Sequence, residues 1–179
     1  MVKITKVYAE RLPDVRLIGK RYTTKDMNGN GSFAHLWREW FENGWFEKLE
    51  KLPMPEGIDN GYIGLMGCSE NTDDYEYWIG MFVEKGSDVP EGFEHVDIPE
   101  GIVGVCWIKG REDNGEIFGE AVHNMCVHKL RDNGFVRIRE DFKGQGKVWN
   151  WFFERYNCPR FTEKDADGEV VLDYGIYIH

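Results

Sequence analysis

Residues 89–110 read VPEGFEHVDIPEGIVGVCWIKG. Val89-Pro90-Glu91-Gly92 is a turn, since proline presets one backbone angle and glycine tolerates the unusual one that follows. Phe93 to Ile98 and Gly101 to Lys109 are then two extended runs around Pro99-Glu100. Upstream, Gly61 to Cys68 and Tyr75 to Glu84 are strand candidates joined by the polar loop Ser69 to Asp74. Before them, residues 2–8 alternate, and Val15 to Tyr22 is extended after the break at Leu12-Pro13-Asp14. Asn28-Gly29-Asn30-Gly31-Ser32 is a loop whose serine can cap a helix. Phe33, Leu36, Trp37, Trp40 and Phe41 recur at three- and four-residue spacing, which predicts a helix with one aromatic face. Gly44 interrupts or bends it before Trp45, Phe46 and Leu49, and Pro53 and Pro55 end it. Downstream, Glu116 to Leu130 is a second helix stopped by Asn133-Gly134. Val148 to Tyr156 and Glu169 to Ile178 close the chain as strands.

The order is therefore strand, helix, strand, strand, stated twice. A shift of 85 residues lays Leu17-Ile18-Gly19 on Ile102-Val103-Gly104, Phe33 on Phe118, Leu36 on Ala121 and Trp40 on Met125. Gly80 in YWIGMFV likewise answers to Gly175 in DYGIYIH. We expect one α+β domain over residues 1–179, with repeats at about 1–90 and 91–179. A ligand cleft belongs at the junction of two such halves.

Composition narrows the function. A chain of 179 residues buries a substantial core. Its apolar runs are far shorter than the roughly 20 residues of a helical membrane span, and the charged MVKITKVYAER start lacks a signal-peptide pattern. A cytoplasmic protein with reduced thiols follows, because Cys68, Cys106, Cys126 and Cys158 form no CxxC pair. A net charge of −10 argues against a nucleic-acid footprint and favours approaching cations. His123 and His128 are five residues apart, the wrong spacing for a shared metal on one helix face. Gly144-Gln145-Gly146-Lys147 lacks the full phosphate-loop spacing, and no GxSxG is present. No metal or cofactor is expected. Aromatic residues make up 15% of the chain, seven of them Trp, which suits a ring-lined cavity.

The stretch Trp151 to Asn157, WFFERYN, puts a carboxylate among four rings. Alternation places Asn150, Phe152, Glu154 and Tyr156 on one face, and Trp149, Trp151, Phe153 and Arg155 on the other. In the earlier strand, Tyr75, Tyr77, Ile79 and Met81 oppose Trp78, Gly80 and Phe82. Glu154 is either the charge of a ligand site or one half of an ion pair with a neighbouring Lys or Arg.

Several segments together resemble the GyrI-like effector-binding domain, a family that includes the ligand-binding halves of AraC-type and MerR-type multidrug regulators. YWIGMFV followed by VPEGFEHVDIPEGIVGVCWIKG resembles its Y-x-I-G signature and its two later P-x-G turns. FAHLWREWF is similar to its F-x-x-L-W helix, and WFFERYN to its late strand. The resemblance spans residues 2–178 and implies a duplicated βαββ fold, with two antiparallel sheets and two helices around a pseudo-twofold cleft. It also implies that Glu154 pairs with a lipophilic cation in an apolar cavity. The wall candidates are Trp37, Phe41, Tyr77, Trp107, Phe152, Tyr156 and Tyr174. Some stand-alone relatives are hydrolases of cyclopropane-bearing genotoxins, which implies an alternative with Glu154 as general base and Tyr156 or Tyr77 as proton donor. The family's gyrase inhibitor implies a third reading, an acidic protein acting on a protein partner. Unlike the regulators, this chain shows no DNA-binding segment at either end. It is expected to act alone, with a small molecule, or through a partner protein or homodimer, and not on DNA directly.

Overall fold

β1 (Lys3–Leu12) and β2 (Val15–Thr23) lead into α1 (Ala34–Glu42) and the short α2 (Trp45–Leu49). β3 (Tyr62–Gly67), β4 (Glu76–Glu84), β5 (Glu94–Ile98) and β6 (Gly101–Gly110) follow, then α3 (Glu120–Asp132), β7 (Phe152–Tyr156) and β8 (Val170–Tyr177). The structure, a computed structural model, describes residues 1–67, 75–135, 151–157 and 159–178. Cys68, Cys158, the loop Ser69 to Asp74, Gly144 to Lys147 and the expected strand start at residues 148–150 lie outside the described residues. Cys106 and Cys126 are buried free thiols. No helix among the described residues is long and apolar enough to cross a membrane.

The sheet order is β1-β6-β8-β7-β3-β4-β2-β5, with every pairing antiparallel. Exchanging β1–β4 for β5–β8 returns the same order. The α+β class is as expected, but the strands form one eight-stranded sheet where two were expected. The join is the β3–β7 pair, which runs from Tyr62↔Tyr156 to Met66↔Phe152. With those five pairs made, neither half keeps a free inner edge.

Among the described residues, the helices cover one face of the sheet. There Ile18, Ile79, Met81, Cys106, Ile108, Leu172 and Ile176 meet Leu36 and Trp40 of α1 and Val122, Cys126 and Leu130 of α3. The other face carries its own apolar cluster of Leu17, Ile63, Leu65, Trp78, Phe82, Val105 and Phe153. Both faces are thus buried along the central strands, which read as continuous apolar runs rather than clean alternation.

Local chemistry sets the helix ends. Ser32 Oγ accepts from the Ala34 N–H at 3.1 Å, one residue ahead of the actual first turn. Gly44 sits at φ 60° and separates α1 from α2. The third helix begins at Glu120, not Glu116, because Gly119 takes φ 89°, a conformation outside the helix. Ile117 is still fully buried, so the apolar pattern that suggested an earlier helix start is real, but it belongs to the approach loop.

Arg155 has no exposed surface and is held by Asp173 at 3.0 Å and Glu10 at 2.7 Å. Arg160 reaches the same Asp173 at 3.0 Å. A buried guanidinium survives only with such partners. The strand period sends this charge to the face away from the helices, and therefore away from its neighbour Glu154.

Candidate functional site

β7 points Phe152, Glu154 and Tyr156 toward the helices, β4 adds Tyr77, β3 adds Gly64 and Met66, and α1 adds Trp37. Together with the loop through Met27 and Phe33, and with Phe118 before α3, Trp37, Met66, Tyr77, Glu154 and Tyr156 enclose a cavity of about 370 Å³. Its walls are held by specific contacts. The Phe33 and Tyr77 rings stack at 4.2 Å, 3° from parallel. Trp37 and Tyr156 lie 4.5 Å apart. Trp37 Nε1 donates to the Tyr77 hydroxyl at 2.8 Å, and the Tyr156 hydroxyl donates to Glu154 Oε2 at 2.8 Å.

Glu154 is 6% exposed. Among the described residues no basic side chain lies within ion-pair distance of it. Burial pushes its carboxyl up to about 7, with the hydrogen bond from Tyr156 pulling the other way. Tyr77 and Tyr156 are held well above the ordinary phenol value, first by burial and then by the Glu154 charge. At neutral pH the cavity floor is therefore an acid that exchanges its proton readily beside two phenols that keep theirs.

Gly64 makes room for this cluster. It is the register partner of Glu154. A Cβ there would stand 2.9 Å from the Tyr77 hydroxyl oxygen and 3.4 Å from both Glu154 Oε2 and the Trp37 ring. One strand supplies the acid and the strand beside it supplies the space.

A second lobe of about 290 Å³ adjoins the first and shares Ala34, Trp37, Phe118 and Tyr156 with it. Phe41, Tyr62 and Phe161 complete its aromatic wall.

Of the wall candidates, Trp37, Tyr77 and Tyr156 line the inner lobe with Glu154, and Phe41 lines the outer one. Phe152 and Tyr174 share that face of the sheet but line neither lobe. Phe152 lies 4.8 Å from the His123 ring, and the Tyr174 hydroxyl is 2.9 Å from His123 Nδ1, beneath α3. Trp107 is corrected. Cys106 and Ile108 belong to the helix-covered core, so Trp107 between them faces the opposite side, with Lys6 Nζ 4.4 Å and the Arg160 guanidinium 4.2 Å from its ring. Phe33, Gly64, Met66 and Phe118 were not expected at the site. Strand alternation places Met66 with Gly64, but only the β3–β7 register brings them to Glu154.

The sequence profile described as the GyrI-like small molecule binding domain matches residues 5–143, ending before β7. Among solved structures, SAV2435 bound to tetraphenylphosphonium superposes with a TM-score of 0.64 at 14% identity, covering 98% of this chain and 94% of that one. The EcmrR C-terminal domain gives 0.56 at 12%, covering 97% of each. A hydrolase from Listeria innocua gives 0.52 at 12%, covering 97% of this chain and 92% of that one. At these identities the likeness is one of fold. An alanine–tRNA ligase of Onion yellows phytoplasma (strain OY-M) is 25% identical over 154 residues, which is 83% of this chain; the chain spans only 16% of the ligase's length.

Proposed function

The chain belongs to the GyrI-like small molecule binding domain family, and from that premise we propose that the inner lobe captures lipophilic cations, with Glu154 as the counter-charge and rings as the surrounding wall. The observation that carries this is a buried carboxylate, 6% exposed, at the floor of an aromatic hollow without a basic partner among the described residues. An unpaired buried carboxylate is unfavourable, and a delocalised cation relieves it while covering Trp37, Tyr77 and Tyr156. At about 4 Å and an effective dielectric near 20 the Coulomb attraction is roughly 4 kcal/mol before desolvation. Each ring under the charge adds about 0.5–2 kcal/mol. The phosphonium bound by SAV2435, a protein of similar fold, is the natural probe.

Titration of tetraphenylphosphonium at pH 8, followed by tryptophan fluorescence, tests the reading. Glu154→Gln is expected to weaken binding about 100-fold, as for removal of one member of a buried charge pair. Neutral triphenylphosphine oxide should bind both proteins equally. Equal phosphonium affinity in wild type and variant would remove the charge-pairing claim.

Gly64→Ala is a second check. The added methyl meets the Tyr77 hydroxyl at 2.9 Å, and relieving that overlap displaces Tyr77 or Glu154 into the lobe. Overpacking of this kind costs about 1–3 kcal/mol, so phosphonium affinity should fall roughly tenfold or more with the far-ultraviolet circular dichroism unchanged. Unaltered affinity would show that Gly64 does not shape the cavity.

A hydrolytic reading rests on one contact, the 2.8 Å bond from the Tyr156 hydroxyl to an acid lifted to about 7. Glu154 ionised near neutrality takes a proton from water as the water oxygen bonds to the strained-ring carbon. The ring bond breaks, a phenol proton passes to the oxygen that receives its electron pair, and the phenol regains a proton from Glu154. Incubation with an epoxide- or cyclopropane-bearing electrophile, read by mass spectrometry for the water adduct, decides it. Recovery of unchanged electrophile rejects turnover and leaves capture standing.

A further inference from the structure

Building on the cation reading above, we infer that the outer lobe is a tail subsite, so that the preferred ligands are amphipathic cations with a shielded positive head in the inner lobe and an apolar tail in the outer one. Three observations lead there. First, the two lobes adjoin: Ala34, Trp37, Phe118 and Tyr156 border both. A ligand seated at Glu154 would reach the outer lobe across this shared border, displacing at most the ring contact of Trp37 with Tyr156.

Second, the outer lobe offers no free charge among the described residues. Its acid, Glu112, is already held by Lys164 Nζ at 3.0 Å. The Tyr62 hydroxyl donates to Glu50 at 2.6 Å, which leaves the Tyr62 ring as its contribution. A second cationic centre would have to break the Glu112–Lys164 pair, whereas an alkyl or aryl tail breaks nothing. Third, Phe41 is 58% exposed, one of three large apolar side chains so exposed among the described residues, and it stands at this lobe. Its ring packs against Phe46 at 5.2 Å and Tyr62 at 5.7 Å, which leaves its outer side for a ligand to cover.

Head and tail thus divide the work. The inner lobe selects charge and the outer lobe selects length, with about 290 Å³ to fill. Burying a methylene in such a site is worth about fourfold in affinity.

The test is a series of alkyltriphenylphosphonium ions, from methyl through butyl and hexyl to octyl, titrated below their micelle concentrations. In wild type, affinity should rise about fourfold per methylene and level off when the lobe is full. In Phe41→Ala, at an exposed position that leaves the core intact, the gain per methylene should shrink while methyltriphenylphosphonium binds as in wild type. Thr162→Trp, which fills the lobe from its rim, should abolish the gain. A chain-length gain identical in all three proteins, or absent from wild type, overturns the tail subsite while leaving the head site intact. Failure of the methyl compound to bind, or its indifference to Glu154→Gln, overturns the cation reading itself and the subsite with it.

Discussion

Affinity for tetraphenylphosphonium is expected to fall about 50-fold from pH 7 to pH 5, as the ionised fraction drops from one half to about 1%, and to level off above pH 8. A proton and the cation compete for one carboxylate. Burial lifts Glu154 to about 7, so at pH 5 only about 1% of the free protein carries the charge. The cation binds the ionised form, which makes binding release close to one proton at pH 5 and almost none at pH 9. Calorimetry in two buffers of different ionisation enthalpy measures that release directly. Glu154→Gln should show weak affinity that does not change with pH, and neutral triphenylphosphine oxide should not lose affinity for wild type on acidification, since its P=O oxygen accepts from the protonated acid. A flat pH profile for the phosphonium in wild type would mean that Glu154 is not the group it meets. Among the described residues no histidine lines the inner lobe to imitate the effect, since His123 lies on the α3 side with Tyr174.

How much of this was legible depended on whether the deciding contact was local. Strand alternation separated Phe152, Glu154 and Tyr156 from Phe153 and Arg155, because a period of two survives any tertiary arrangement. The same rule was silent for Trp107. GIVGVCWIKG is apolar on both sides, and β6 is buried on both faces, so nothing in its pattern marks which side the helices cover. The apolar stripe predicts a third helix from Glu116 because Ile117 extends it, while Gly119 overrides that stripe through backbone conformation alone. Gly64 was invisible for a different reason. Its role exists only in the pairing of β3 with β7, some 90 residues apart, where it stands opposite Glu154. Long-range register also turned two expected sheets into one. The acid could be found from its neighbours in the chain, but the space beside it could not.

Replacing the acid should also make the empty protein more stable. A carboxyl lifted from 4.5 to about 7 is favoured by the fold in its neutral form. The contribution of that neutral form is complete below about pH 4.5 and is lost as pH rises through about 7, because the unfolded chain ionises first. The difference is about 3 kcal/mol at pH 8. Glu154→Gln keeps a carbonyl to accept the Tyr156 hydroxyl and has no proton to lose, so it is expected to melt about 6–12 °C higher than wild type at pH 8 and close to it at pH 5. Saturating tetraphenylphosphonium should raise the wild-type melting temperature at pH 8 and leave the variant nearly unmoved, because the cation restores to the ionised acid what desolvation removed. Equal melting temperatures at pH 8 would mean that water or a rearranged side chain already solvates Glu154 in the empty cavity. On the proposed cation reading, keeping an unstable charge in place is how the site stays ready for a ligand that brings the opposite one. Stability at alkaline pH is the quantity sacrificed for it.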